Sequence, residues 1–184
     1  MYSVGAKRLF SGRNVVLVGG KRTPVGCFMG GLSDLTAPQL GTTAVKGALE
    51  STGIDPKEIE EVYLGQVIQA GSGQAPTRQV ALASGMKEDT PCTTINKVCA
   101  SGMKTVMMSA QAIALGQRDT MIVGGMESMS KLPHYLYMRK PTVYGHHNAL
   151  DSIMSDGLTD VYNNILMGKC CEKFVAELGI TREA

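Results

Sequence analysis

Residues 95–104 read Ile95-Asn96-Lys97-Val98-Cys99-Ala100-Ser101-Gly102-Met103-Lys104, and this stretch decides how the chain is interpreted. A short apolar run gives way to small residues around Cys99, and a helical pattern follows. A helix N-terminus presents unpaired N–H groups and a partial positive charge, which favour a thiolate over a thiol. The small residues after Cys99 would let a bulky substrate reach the sulfur. Cys99 is therefore a candidate nucleophile, and the competing interpretation is a buried cysteine that packs as a small hydrophobe.

On both sides of this stretch, short apolar runs alternate with helical patterns. The predicted strands are 15–18, 62–68, 93–95 and 121–123. The predicted helices are 38–52, 77–84 and 103–114, the last of them buried on more than one side. Strands that alternate with helices indicate a layered α/β domain with a largely parallel sheet.

The pattern changes after residue 130, where prolines and glycines interrupt the chain and no strand is clear. A further helix is predicted near 164–178, with Cys170 and Cys171 on its apolar stripe and therefore packed in a core. We place an α/β domain at 11–126 and the start of a loop-rich domain at 127–184.

Composition excludes several classes of function. The 184 residues are 43% hydrophobic and 18% charged, which is typical of a soluble globular protein with a substantial core. The net charge of +2 and the absence of Trp give no support for nucleic-acid binding. No apolar stretch is long enough to span a membrane, so no membrane partner is predicted.

The cysteines and histidines do not predict a metal site or a disulfide framework. The 5 cysteines form no CxxC pair, and the 3 histidines are not spaced to complete a zinc site. An odd cysteine count without a secretory signal argues against disulfides. His134, His146 and His147 lie in loop-like sequence and are predicted to be surface residues.

The N-terminus has the composition of a mitochondrial presequence, which we place at residues 1–10. It contains basic residues and serines but no acidic residue. The stretch Arg8-Leu9-Phe10-Ser11 is similar to a matrix-protease site with Phe10 as the last residue removed. The expected location is the mitochondrial matrix. A disordered basic tail on a cytosolic protein is the alternative.

Several motifs occur in one order along most of the chain. They are Lys21-Arg22-Thr23-Pro24-Val25-Gly26, the stretch 73–79 (GQAPTRQ), the stretch 91–108 around Cys99, Gly124-Gly125-Met126-Glu127-Ser128-Met129-Ser130, and 156–160 (DGLTD) with Met167-Gly168. From about residue 14 onward the sequence resembles the thiolase family, most closely its mitochondrial acetoacetyl-CoA branch.

The resemblance implies acyl transfer between coenzyme A thioesters. Cys99 matches the family's cysteine that accepts the acyl group, and its backbone N–H matches one oxyanion donor. A second acetyl-CoA would attack the Cys99 thioester to give acetoacetyl-CoA, and the reverse reaction would cleave it. The implied activity is an acetyl-CoA C-acetyltransferase of fatty acid and ketone body metabolism. No covalently bound cofactor is implied.

The resemblance also assigns roles outside the cysteine turn. Gln74 matches a residue on a loop that reaches toward a neighbouring subunit, and the family forms homodimers and homotetramers. Met167 matches a methionine that lines the acyl pocket, although a plain core role fits the sequence equally well. Glu127 and Ser128 follow a predicted strand, where α/β folds bind ligands, and they equally suit support of that strand-to-loop junction.

The sequence departs from the family in three respects. Leu166 stands where the family has a histidine, which affects substrate preference. The Gly-His-Pro and Cys-x-Gly motifs that would supply the activating histidine and a second cysteine do not occur. We therefore expect an N-terminal half that lacks the C-terminal domain and is not a competent thiolase by itself, because it has no base for the condensation.

Three alternatives to this activity remain. One is a non-catalytic half that binds acyl-CoA or pairs with a full subunit, and another is a longer-chain 3-ketoacyl-CoA thiolase. A ketoacyl synthase shares the architecture and the cysteine, but the segment 124–130 argues against it.

Overall fold

The computed structural model describes residues 13–139 and 144–183. The predicted presequence at 1–10 lies outside the described residues. The longer elements, in chain order, are α1 (Ala37–Thr52), β1 (Glu61–Gly65), α2 (Pro76–Ala83), β2 (Cys92–Ile95), α3 (Ser101–Ala114), β3 (Met121–Gly125) and α4 (Met167–Leu178). The two-residue strands β4 (His134–Tyr135), β5 (Leu150–Asp151), β6 (Thr159–Asp160) and β7 (Ile165–Leu166) lie between β3 and α4.

The main sheet has three parallel strands in the order β2-β1-β3. In the centre of the sheet Val62 lies opposite Cys92 on one side and Ile122 on the other. α2 connects β1 to β2, and α3 connects β2 to β3, as parallel pairing requires. The predicted α/β class with a parallel sheet is confirmed. Because all three strands are parallel, their carboxyl ends share one edge of the sheet.

α1 is defined by its two ends. The Thr36 hydroxyl accepts a hydrogen bond from the Gln39 N–H, and the Gln39 side chain accepts one from the Thr36 N–H at 2.8 Å. This capping box satisfies two otherwise unpaired donors. Gly53, with φ of 70°, ends the helix in the left-handed region. The apolar face between these ends contributes Val45 and Leu49 to the core.

α3 lies on the sheet through small and polar side chains rather than through its methionines. Its buried residues include Ser101, Thr105 and Ser109, whereas Met103 is 66% exposed. The Thr105 hydroxyl bonds both the C=O and the N–H of Gly124, each at 3.1 Å. The expectation that α3 is buried on more than one side is therefore wrong. Close approach to β3 selects short side chains for the buried face.

The predicted strand at 15–18 is not formed. The run has no regular secondary structure and belongs to no sheet, and Leu17 is 80% exposed. Together with β3, α1 and α3, it lines a groove of about 570 Å³. Arg13 pairs with Asp119, and Gly19 approaches the Thr52 side chain, so the segment runs past α1 without joining the sheet ladder. An apolar β-branched run forms a strand only where a sheet edge accepts its backbone hydrogen bonds.

The segment after β3 contains more local structure than its sequence indicates. β4 pairs with β5 and β6 with β7, both antiparallel, and a π-helical turn spans Ile153–Leu158. None of the residues of α4 is buried, and Cys171 is exposed while Cys170 is half-buried. The prediction that these two cysteines pack in a core is therefore wrong, because no described element covers the apolar stripe of α4. Within the described ranges, no helix has the length and apolarity needed to cross a bilayer.

Candidate active site

Cys99 lies in the turn that joins the last residue of β2, Ile95, to the first residue of α3, Ser101. Ala100 is the N-cap residue, so Cys99 lies one residue before the N-cap of α3. Its side chain is exposed, which rules out the competing interpretation of a core cysteine. The structure therefore places Cys99 at the N-terminal end of α3, as the sequence predicts.

The hydrogen bonds of this turn are made by the neighbours of Cys99. The Asn96 Oδ1 accepts from the Val98 N–H at 2.9 Å. The Ser101 hydroxyl donates to the Val98 C=O at 2.6 Å and accepts from the Lys97 N–H at 2.8 Å. The backbone of Cys99 forms an isolated bridge with that of Lys97. None of these side-chain bonds involves the Cys99 thiol, so the sulfur remains accessible to a substrate.

Val98 has a strained backbone. Its φ is 47°, in the left-handed region that β-branched residues rarely adopt. Such strain persists only where the surroundings hold it, and here both the N–H and the C=O of Val98 are hydrogen bonded. The residue before Cys99 is thus held in one conformation.

The other two strands end beside this turn. Val67 follows β1, and its N–H donates to the Glu127 Oε2 at 2.8 Å, while its C=O accepts from the Asn96 Nδ2 at 3.0 Å. Glu127 follows β3, and the neighbouring Ser128 donates to the Leu35 C=O at 2.6 Å. These contacts are what supporting residues at a strand-to-loop junction make.

Burial sets the electrostatics around the turn. Burial raises the pKa of Glu127, and the backbone N–H groups of Val67 and Ile68 lower it only in part. The same cause raises the pKa of the Cys92 thiol in β2. A thiol with a raised pKa is a poor nucleophile at neutral pH, so Cys92 does not compete with an exposed cysteine.

Outside the turn, a hydrogen bond to Asp156 raises the pKa of Tyr135 to about 12.

Gln74 lies in the loop before α2, and its side chain is exposed. Its C=O accepts from the Gln79 Nε2 at 2.9 Å, and the same nitrogen donates to the Ser72 C=O at 2.9 Å. Gln66, which directly follows β1, donates to the Ser72 hydroxyl at 2.7 Å. Hydrogen bonds therefore attach the Gln74 loop to the same sheet edge that carries the Cys99 turn.

Met167 is the first residue of α4 and is 53% exposed. Its helix follows β7 directly in the chain, and no residue of that helix is buried. Leu166, which replaces the family's histidine, is also exposed. The structure thus brings the Gln74 loop to the edge that holds Cys99, but it does not form a closed acyl pocket around Met167. His134, His146 and His147 are exposed, as predicted.

Sequence reasoning assigned no role to Asn96 or Gln66. Asn96 accepts a hydrogen bond from the backbone N–H two residues ahead of it. Asparagine commonly makes this bond in turns, so its place just before Cys99 could have predicted a role in the turn. Gln66 is 1% exposed and follows a run of strand residues, and no feature of the sequence distinguishes it.

The comparisons with known proteins agree with this fold and site. Residues 15–184 match the family described as "Thiolase, N-terminal domain", and the chain belongs to the thiolase family. It is 53% identical over 170 residues to a rat protein named "Acetyl-CoA acetyltransferase, mitochondrial", and 52% identical to the human protein of the same name.

The similarity extends to a solved structure of a thiolase. The "Acat5 thiolase from Ascaris suum in complex with coenzyme A" superposes with a TM-score of 0.85 at 38% identity, over 90% of this chain. The alignment covers 92% of this chain but 40% of the rat and human relatives, and 43% of the Ascaris chain. The chain therefore spans about two fifths of the length of these relatives.

Proposed function

We propose that this chain contributes the acyl-accepting site of an acetyl-CoA acetyltransferase, with Cys99 as the nucleophile. The observation that carries the proposal is the exposure of Cys99 at the N-terminus of α3, one residue before the N-cap Ala100. The names of the relatives support acetyl transfer, and the coenzyme A in the Ascaris structure supports a coenzyme A thioester as substrate.

The proposed step is a thioester exchange. The Cys99 sulfur attacks the acetyl carbonyl, a bond from sulfur to carbon forms, and the bond to the coenzyme A sulfur breaks. The thiol proton of Cys99 ends on the departing coenzyme A. The Cys99 N–H donates to the oxyanion of the tetrahedral intermediate, where charge develops.

The condensation with a second acetyl-CoA needs a base to remove a methyl proton. In the family the second cysteine moves this proton and the histidine activates the nucleophilic cysteine, and the motifs that would supply both are absent from this sequence. We assign to this chain the formation of the acyl-Cys99 thioester, and to a complete site the making or cleavage of acetoacetyl-CoA.

The remaining assignments follow from the same likeness. Gln74 and Met167 are proposed to line the substrate site. The proposed domain boundaries are 11–126 for the α/β domain and 127–184 for the start of the loop-rich domain. A homodimer or homotetramer and a location in the mitochondrial matrix are proposed because of the family resemblance and the word "mitochondrial" in the relatives' names.

Incubation of the full chain with acetyl-CoA, followed by peptide mass spectrometry, tests the proposal. The Cys99 peptide is expected to gain one acetyl group, the Cys99→Ser variant none, and the exposed-cysteine control Cys27→Ser as much as the wild type. Acetyl-CoA binding without acetylation would favour the non-catalytic alternative. Faster acylation by a longer-chain acyl-CoA would favour a longer-chain thiolase.

A further inference from the structure

Both backbone polar groups of Val67, two residues beyond β1, are bound by side chains from other strand ends. Glu127, beyond β3, accepts from the Val67 N–H at 2.8 Å. Asn96, beyond β2, donates to the Val67 C=O at 3.0 Å. One residue, Val67, therefore joins the carboxyl ends of all three strands of the main sheet.

Asn96 extends this connection into the cysteine turn. Its Nδ2 is used on Val67, and its Oδ1 accepts from the Val98 N–H at 2.9 Å. Asparagine has both a donor and an acceptor on one rigid amide, so the two bonds can form together. The route from Glu127 to Val98 thus consists of three hydrogen bonds between 2.8 and 3.0 Å.

The last bond on this route acts on the strained residue. Val98 has a φ of 47°, and an ordinary φ would rotate the peptide that carries the Cys99 amide. The Asn96 side chain opposes that relaxation because it holds the Val98 N–H. Loss of this bond would release the strain and move both reacting groups of Cys99.

We propose that Asn96 and Glu127 are positioning residues that fix the Cys99 thiol and amide for acyl transfer. Asn96 acts through Val98, and Glu127 acts through Val67 and Asn96. The proposal rests on the proposed role of Cys99 as acyl acceptor. It assigns to Glu127 an effect on reactivity in addition to its support of the strand junction.

Single-turnover acetylation of Cys99 in the full chain tests this assignment. Asn96→Ala removes both bonds without adding charge, and Glu127→Ala removes the acceptor for Val67. Each is expected to lower the maximal acetylation rate about tenfold, with the half-saturating acetyl-CoA concentration unchanged, because misplaced reacting groups slow chemistry rather than binding. Glu127→Gln, which keeps an acceptor oxygen, is expected to restore the rate.

Two variants at the opposite edge of the sheet are matched controls. Glu60 accepts from the Asp119 N–H at 2.6 Å, so Glu60→Ala also removes a carboxylate that binds a distant backbone N–H. Asn14→Ala repeats the asparagine truncation next to Arg13, which pairs with Asp119. Both are expected to acetylate at the wild-type rate.

The proposal is overturned if Asn96→Ala and Glu127→Ala acetylate Cys99 at the wild-type rate. It is also overturned if the control Glu60→Ala slows acetylation as much as they do. Asn96→Ser keeps a hydroxyl that can accept from the Val98 N–H, so it is expected to slow acetylation less than Asn96→Ala does. If an alanine variant does not fold, the acetylation rate of Asn96→Ser tests the proposal instead. If wild-type Cys99 is not acetylated, the proposed function fails separately. In that case the ratio of the iodoacetamide labelling rates of Cys99 and Cys27 tests whether Asn96 positions Cys99. Asn96→Ser is expected to lower this ratio.

Discussion

Gly65 at the end of β1 lies directly against Ser101 at the start of α3. A Cβ placed on Gly65 would be 2.6 Å from the Ser101 carbonyl carbon and 2.7 Å from its Cβ. No real Cβ sits this close to backbone atoms, so only glycine allows the helix to start here. This contact sets the distance between the central strand and the helix that follows Cys99.

Gly65→Ala is expected to lower the free energy of unfolding by about 1–3 kcal/mol, because the added methyl group overpacks a backbone contact. Acetylation of Cys99 should slow as well, since the start of α3 must shift. Denaturant titration and the acetylation assay measure the two effects. Gly168→Ala is the control, because a Cβ there meets nothing within 4 Å and alanine favours the helix. If Gly65→Ala and Gly168→Ala had equal free energies of unfolding, the close contact between Gly65 and Ser101 would be contradicted.

Val98→Gly separates strain from reactivity. Glycine adopts a positive φ without steric strain, and this relief exceeds its larger loss of chain entropy, so the free energy of unfolding is expected to rise by up to about 1 kcal/mol. The same freedom loosens the turn, and Cys99 acetylation is expected to slow. Val25→Gly, at an exposed valine without a positive φ, should not be stabilised. A Val98→Gly protein less stable than the wild type would show that Val98 is not strained.

The cysteines should differ in their order of alkylation. Iodoacetamide is expected to label Cys99 first and Cys92 more slowly than the exposed cysteines, because Cys92 is half-buried and burial raises its pKa. Acetyl-CoA should protect Cys99 alone. Peptide mapping over a time course measures each rate, with Cys99→Ser as the control. The nucleophile is misassigned if Cys27 or Cys92 is labelled faster than Cys99.

Glu127→Gln is expected to become more stable relative to the wild type as the pH rises. Burial raises the folded-state pKa of Glu127, so the unfolded chain ionises first as the pH increases. As the pH rises, the wild type therefore loses stability from about pH 4 until the pH passes the raised folded-state pKa of Glu127. The Glu127→Gln variant has no carboxyl group at this position and does not lose this stability. Urea titrations at about pH 4 and about pH 7 measure the change, with the exposed Glu60→Gln as control. A difference that stays constant with pH would disprove the burial effect.

Local pattern was enough for much of the fold. The helix predicted at 38–52 corresponds to α1, and the apolar runs of β1 and β3 fall close to their predicted positions. The start of α3 just after Cys99 was also predictable, because small residues and a helical period mark it in the sequence. These features depend on residues near one another in the chain.

Other features depended on contacts between distant residues. The apolar run that includes Leu17 reads as a strand, but nothing in its own sequence shows that no sheet edge pairs with it. The methionines of α3 read as core residues, yet the close approach of Thr105 to Gly124 turns a small polar face inward. The stripe with Cys171 on α4 reads as buried, although no described element covers it.

The sequence by itself determined the α/β class, the place of Cys99 before a helix and the family resemblance, because each depends on local periodicity or on motif order. Only the tertiary structure decided that Asn96 and Glu127 meet at Val67. Their partners are 29 and 60 residues away in the chain, and parallel pairing of β1, β2 and β3 brings the three strand ends together. Hydrogen bonds over such separations leave no periodic signal in a sequence, since they arise from the assembled sheet.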